Sequence, residues 1–194
     1  MRSTLKALAG LFVLLLTSAC WVETEATLAE PDAKALDTRL VGTWYVAEKA
    51  ELTFFTVAAD EKELGVYAVV FASIRPGTDN PVEFVHYRVW RTVVNGRDYL
   101  NARRIAGKEM PAQTVVAYDL TDTTLVLRLM DTKAAAAAIE AGKLKGRVKK
   151  GTYVDEVTIT SSQAEFAAFV AGPDGDKLFS QKTGALRKLP PSAN

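Results

Sequence analysis

A mainly β fold with two α-helices, built as an antiparallel β-barrel or strongly curved sheet with the helices appended, is what this sequence predicts. Three observations carry that expectation. Residues 39–130 are short runs of alternating apolar and polar residues rich in Val, Thr, Tyr and Phe. Turn-forming residues punctuate those runs, and helical periodicity appears only after them. Consecutive short strands followed by helices place the chain among barrels and sandwiches with added helices.

The first element is a leader. Arg2 and Lys6 precede ten uncharged residues, Ala7 to Leu16. A membrane-spanning helix needs roughly 20 apolar residues, whereas a basic start, a short apolar middle and small residues before a cut site describe a secretory signal peptide. Residues 1–19 are therefore expected to be removed. The run ends Leu16-Thr17-Ser18-Ala19-Cys20, and Cys20 is the one cysteine of the chain. This stretch resembles the lipobox of bacterial lipoproteins, with Thr17 where an aliphatic residue is commoner. The resemblance implies a diacylglyceryl group on the Cys20 sulfur, acylation (palmitate or a similar chain) of the new N-terminus, and attachment to a membrane of the cell envelope. One myristoyl-length chain binds at only about 10⁴ M⁻¹, and two hold firmly. Trp21 follows the cysteine in place of aspartate, which by resemblance to enterobacterial sorting implies the outer membrane, facing the periplasm. The alternative is an ordinary secreted protein, which leaves an exported free thiol to be explained.

Removing residues 1–19 leaves 175 residues with 22 basic against 23 acidic side chains. Such a balance makes no strong field, so nucleic acid is not an expected partner. Residues 20–38 mix acidic residues with Ala, Thr and Pro and show no sustained period; they read as a lipidated tether. Residues 39–194 then form a single β-rich domain, long enough to bury one core without a disulfide.

Within that domain "RLVGTWYVAE" and "ELTFFTVAA" read as the first two strands. "LGVYAVVFASI", Leu64 to Ile74, is apolar at both odd and even positions, as in a strand covered on both faces. "RPGTDNP" is a loop. "VEFVHYRVWRTVV", Asn95-Gly96 and "RDYLNARRI" form the clearest hairpin. A two-residue turn would set Arg88 against Arg103, so a turn with a Gly96 bulge is expected, setting Trp90 against Leu100 and Arg88 against Ala102. "TVVAYDL" and "TTLVLRLM" make another hairpin. A helix follows Asp131 or Thr132 and stops at Gly142, and a second begins at the Ser162–Glu165 capping box and ends at Gly172-Pro173. "DEVTIT" is a short strand between the helices, and "KLFS" and "ALRKL" supply one or two closing strands.

Reactive groups are sparse. His86 is the only histidine, which rules out a multi-histidine metal site, and no G-x-S-x-G elbow accompanies it. It reads as a half-buried structural side chain. Asp174-Gly175-Asp176 lacks the repeated acids of a calcium loop and reads as a turn. Asp60, Glu61 and Glu63 read as a solvated corner. No cofactor and no catalytic residue is expected. Lys143, Lys145, Arg147 and Lys149 recur every second residue, which puts them on one face of a strand. That stripe is either a patch against anionic headgroups or a solvated edge strand using cations against aggregation.

Gly42-Thr43-Trp44 resembles the G-x-W element on the first strand of lipocalins and related calycins. The resemblance implies a calycin-like barrel with Trp44 at its floor, packed near an arginine of a late strand, for which Arg187 is the candidate; the family's T-D-x-Y motif is absent. With Ile139, Gly142, Leu144 and Gly146 in an I-x-x-G-x-L-x-G helix end and Leu178-Phe179 in a final L-F strand, residues 118–189 also look like the C-terminal half of many uncharacterised bacterial lipoproteins, a likeness without an activity. Two functions follow. The first is a lipid-anchored, non-enzymatic binding module for a hydrophobic small molecule or lipid. The second is an envelope structural or protein-interaction lipoprotein with a filled barrel, whose exposed aromatics such as Trp90 or Tyr99 meet a partner.

Overall fold

The structure, a computed structural model, describes residues 22–48, 51–79, 81–105, 113–152 and 155–190. Its strands are β1 (Val22–Thr24), β2 (Gly42–Glu48), β3 (Glu51–Ala59), β4 (Tyr67–Ile74), β5 (Val82–Val94), β6 (Arg97–Arg104), β7 (Gln113–Leu120), β8 (Thr124–Leu129), β9 (Gly146–Lys149), β10 (Glu156–Ile159), β11 (Gln181–Lys182) and β12 (Leu186–Lys188). The helices are α1 (Thr132–Glu140), α2 (Gln163–Ala171) and α3 (Gly175–Leu178). The signal-peptide segment and Cys20 lie outside the described residues.

Strands β2 to β8 form an antiparallel meander. β12 then enters between β8 and β2, which closes an eight-stranded barrel. The predicted barrel with outside helices is therefore present. β11 adds to β8, while β1, β10 and β9 form a side ribbon that joins the barrel through the pairing of Thr24 with Gln113.

Because side chains alternate along a strand, the wall separates two cores. Inside lie Trp44, Tyr67, Val69, Val89, Tyr118, Leu125 and Leu186, with Leu40 from the segment before β2. Outside, Tyr99, Val115 and Ala117 of β6 and β7 meet Val22 and Leu28, the ribbon residues Val157 and Ile159, and Phe166, Val170, Leu178 and Phe179 of the helical layer. The alanine run of α1 serves this layer: Ala135, Ala136 and Ala138 are buried. Asp131 caps α1 by accepting from the Ala134 N–H at 2.9 Å, and the Ser162–Glu165 box caps α2.

Several expectations are corrected. Residues 22–38 are not a tether. Val22 is 1% exposed and Leu28 4%, and β1 pairs parallel to β10. Side chains of the barrel hold this segment by its backbone: Asn101 Oδ1 accepts from Leu28 N–H, Trp90 Nε1 donates to the Ala29 carbonyl, and the Tyr67 hydroxyl bonds the backbone of Asp37. Bonds of side chain to backbone need no apolar period in the strap, which is why its sequence looked featureless. The domain therefore begins by Val22, not at Arg39.

The β5–β6 turn is the two-residue form, with Val94 opposite Arg97 and Arg88 opposite Arg103. Asn95 (φ 49°) and Gly96 (φ 76°) both adopt the left-handed backbone of a type I′ turn, whose twist matches the strands. The two arginines diverge to separate partners: Arg88 pairs with Glu63, and the Arg103 guanidinium lies 5.5 Å from the Trp90 ring centre. Trp90 thus faces Asn101, not Leu100.

β4 is fully buried on one face only. Tyr67, Val69, Phe71 and Ser73 are buried, whereas Ala68 is exposed and Leu64 stands in the preceding turn at 77% exposure. The strand covered on both sides is β7. "KLFS" is no strand. It ends α3 and buries Leu178 and Phe179, the latter edge-on to Tyr99. The Asp174-Gly175-Asp176 turn becomes the start of that third helix.

Candidate functional site

The barrel interior holds a cavity of about 80 Å³ whose lining includes Leu40, Phe55, Tyr67, Tyr87, Leu100 and Leu127. Every lining residue is apolar or a tyrosine, so the space offers dispersion contact and no fixed charge. Phe55, Val57, Tyr87, Leu100 and Leu127 keep partial solvent access although they face inward. The barrel is a cup, narrowed at one end.

The narrowed end is built around Trp44, which is fully buried. Its Nε1 donates to the Leu40 carbonyl at 2.8 Å, which ties the barrel wall to the short 3-10 turn Thr38–Leu40. The late-strand cation on the indole is Lys188, not Arg187. Lys188 Nζ lies 5.1 Å from the ring centre and donates to the Arg39 carbonyl at 2.7 Å. Lys188 pairs with Trp44 across β12 and β2, and Arg187 pairs with Tyr45 and is exposed on the outer wall. Gly42 makes the room: a Cβ there would stand 3.0 Å from Lys188 Cε.

Beside the floor sits a polar group of the interior. Arg91 Nε donates to Asp98 at 2.8 Å and its Nη1 to the Ala35 carbonyl at 3.2 Å. Asp37, bonded to the Arg39 guanidinium, is held below the ordinary carboxylate range by that bond. Tyr118 is 3% exposed, and its hydroxyl has no hydrogen-bond partner of acceptable geometry among the described residues. Burial, above all, pushes its pKa up. No sequence pattern announces this group, since its members come from the strap and from β5, β6 and β7.

The cationic stripe is divided. Only Arg147 and Lys149 lie on β9; Lys143 and Lys145 precede it. All four are exposed and each is paired: Lys143 with Asp174 (2.6 Å), Lys145 with Glu165 (2.6 Å), Arg147 with Glu25 (2.7 Å) and Lys149 with Glu156 (3.0 Å). The carboxylates of Glu165 and Asp174 are lowered to about 2, chiefly by the bonds from Lys145 and Lys143. Neutralised pairs make a poor headgroup magnet.

His86 is exposed on the outer wall of β5, opposite Val70, and not half-buried. Asp60 accepts from the Lys62 and Glu63 N–H groups and so builds the β3–β4 corner. Trp90 and Tyr99, expected as exposed aromatics, are 3% and 2% exposed beneath the strap and helices. The apolar surface lies elsewhere. Tyr45, Phe54, Ala72 and Phe84 form a row across β2 to β5 by register, next to a second row of Leu52, Ile74 and Val82. Phe84 is 65% exposed and Val82 46%. The period-two pattern could have revealed these rows, had β4 not been read as doubly covered.

No family model, curated protein or solved structure matches the chain.

Proposed function

We propose that this protein is a lipid-anchored envelope lipoprotein whose barrel is a non-enzymatic binding module for a hydrophobic small molecule or lipid. The observation that carries this reading is the cup: an inward face of Phe55, Tyr87, Leu100 and Leu127 that keeps solvent access above a sealed floor. Small-molecule sites are concave and mostly apolar. A space of about 80 Å³ falls well short of the roughly 300 Å³ at which drug-sized sites begin. It suits a slender alkyl chain better than a fused ring. The Gly42, Trp44 and Lys188 floor supports the likeness to calycins, with a lysine where that family carries an arginine. The lipobox-like Leu16–Cys20 supports lipid anchoring, and Trp21 in place of aspartate supports the outer membrane.

Native mass spectrometry of the chain purified without organic solvent tests the carrier. A bound hydrophobe is expected, and it should vanish when Leu127→Trp fills the cup. A bare protein mass in the parent chain overturns the reading. Cys20→Ala should release the protein from membranes; persistence in the membrane fraction would refute the anchor.

A second reading, an envelope structural protein that meets a protein partner, is favoured by one observation: the Tyr45–Phe54–Ala72–Phe84 row on the outer wall, half-buried at its first three residues and exposed at Phe84. Exposed apolar patches of this kind mark interaction surfaces. Under it, Phe84→Asp abolishes partner binding and leaves any barrel ligand in place.

A further inference from the structure

We infer that the β9–β10 end of the side ribbon is the face this protein lays against the bilayer, set by where the folded chain begins and not by charge; the inference rests on lipidation of Cys20. Only Trp21 separates Cys20 from Val22. Val22 already belongs to the sheet: its side chain is buried, and its carbonyl accepts from Thr114 Oγ1 at 3.0 Å. Two residues of fully extended chain span about 7 Å. An anchored cysteine therefore holds folded wall at the headgroups, with no leash to let the domain tumble.

Register says which wall. β1 runs parallel to β10 with Val22 opposite Val157, and β10 runs antiparallel to β9 with Glu156 opposite Lys149. The Val22 end of β1 therefore lies at the end of the ribbon where β9 stops at Lys149 and β10 starts at Glu156. Lys149, Lys150, Thr152 and Glu156 are exposed there. Lys143 and Lys145 lie past the other end, where Gly146 and Thr24 both face Ile159.

Charge adds little at this edge. Lys149 is paired with Glu156 and Lys150 with Asp155, at 3.0 and 2.8 Å. The partner is therefore the bilayer surface as such, zwitterionic as readily as anionic. The opposite side of the molecule is equally defined. β3 stands four places from β7 on the eight-strand ring, and Ala58 on its outer face is exposed.

The test uses the full chain made in a host that lipidates it, with Thr152→Cys or Ala58→Cys carrying a fluorophore. It is reconstituted into phosphatidylcholine vesicles doped with a nitroxide-headgroup lipid. A large loss of emission is expected at position 152 and little at 58, unchanged when phosphatidylglycerol is added. Equal loss at the two positions in a chain of verified lipid mass overturns the orientation alone. Loss that requires phosphatidylglycerol overturns its independence of charge. An N-terminal peptide mass without acyl groups overturns the lipidation reading, and the orientation with it.

Discussion

Lys188 and Arg187 are adjacent, and the fold makes them opposites. Lys188 covers the Trp44 ring and bonds the strap, while Arg187 points to solvent. Lys188→Ala should therefore lower stability by about 1–2 kcal/mol, the combined scale of a cation on an aromatic face and one hydrogen bond from a charged donor. Arg187→Ala should stay within about 0.5 kcal/mol. Urea titration of both variants separates them, and equal effects would refute the assignment. Asn101 is the buried polar residue with the most to lose. It accepts from Leu28 N–H at 2.8 Å and donates to Thr92 Oγ1 at 2.8 Å and to the Trp90 carbonyl at 3.3 Å. Asn101→Ala leaves the Leu28 N–H unpaired and should cost about 1–3 kcal/mol. Tyr118 behaves in the reverse way. Its hydroxyl is buried with no partner of acceptable geometry among the described residues, so Tyr118→Phe should be neutral or stabilising, since it removes a desolvated polar atom and leaves the ring in place.

At the scale of elements, the helical layer is clasped by surface carboxylates. Glu165 caps α2 and takes Lys145; Asp174 takes both Lys143, from the loop after α1, and Lys177 of α3. Both acids titrate at about 2 in the folded chain, below their ordinary values of 4.5 and 3.8. A depressed folded pKa contributes stability above the unfolded value and loses it as pH falls through the folded one. The helical layer should accordingly loosen between pH 4.5 and about 2. Amide exchange in α2 and α3 that rises over this window, ahead of exchange in β5 and β6, checks it. Ser162 and Glu165 were readable as a capping box because capping is local. The β5–β6 hairpin was readable as a hairpin, but its register was not, because the decisive partners, Glu63 for Arg88 and Trp90 for Arg103, come from outside the pairing or from its diagonal. The strap was missed for a related reason: its stabilising donors and acceptors sit on Tyr67, Trp90 and Asn101, far along the chain.

At the scale of the whole molecule, the order of elements was enough to predict a barrel with outer helices, because alternating strands with short turns leave few other ways to bury one face. The floor tryptophan was legible from Gly42-Thr43-Trp44. Its cation was misplaced by one residue, and in a strand one residue is the difference between inside and outside. The cup could not be read at all, since a row of inward apolar residues describes a solid core and a hollow one equally well. The polarity of the wall also sets this barrel beside those that span membranes. Membrane-spanning barrels carry polar lumens and an apolar outer band. Here the interior is apolar apart from the Arg91–Asp98 group, and the outer wall bears Arg88, Arg103 and the Arg128–Asp119 pair beside the apolar rows of β2 to β5.

The seam of the ring lies in the short β12, which gives two residue pairs to β2 and two to β8. In chain order that strand comes after every other strand of the ring. Until Leu186–Lys188 emerge, β2 and the far side of β8 are open borders with unsatisfied ladders, the condition that invites pairing with a stranger. A stop codon just before Leu186 should therefore not produce a slightly shorter protein. It should yield one that is caught by chaperones or clumps, even though nearly every residue of its cores has been synthesised.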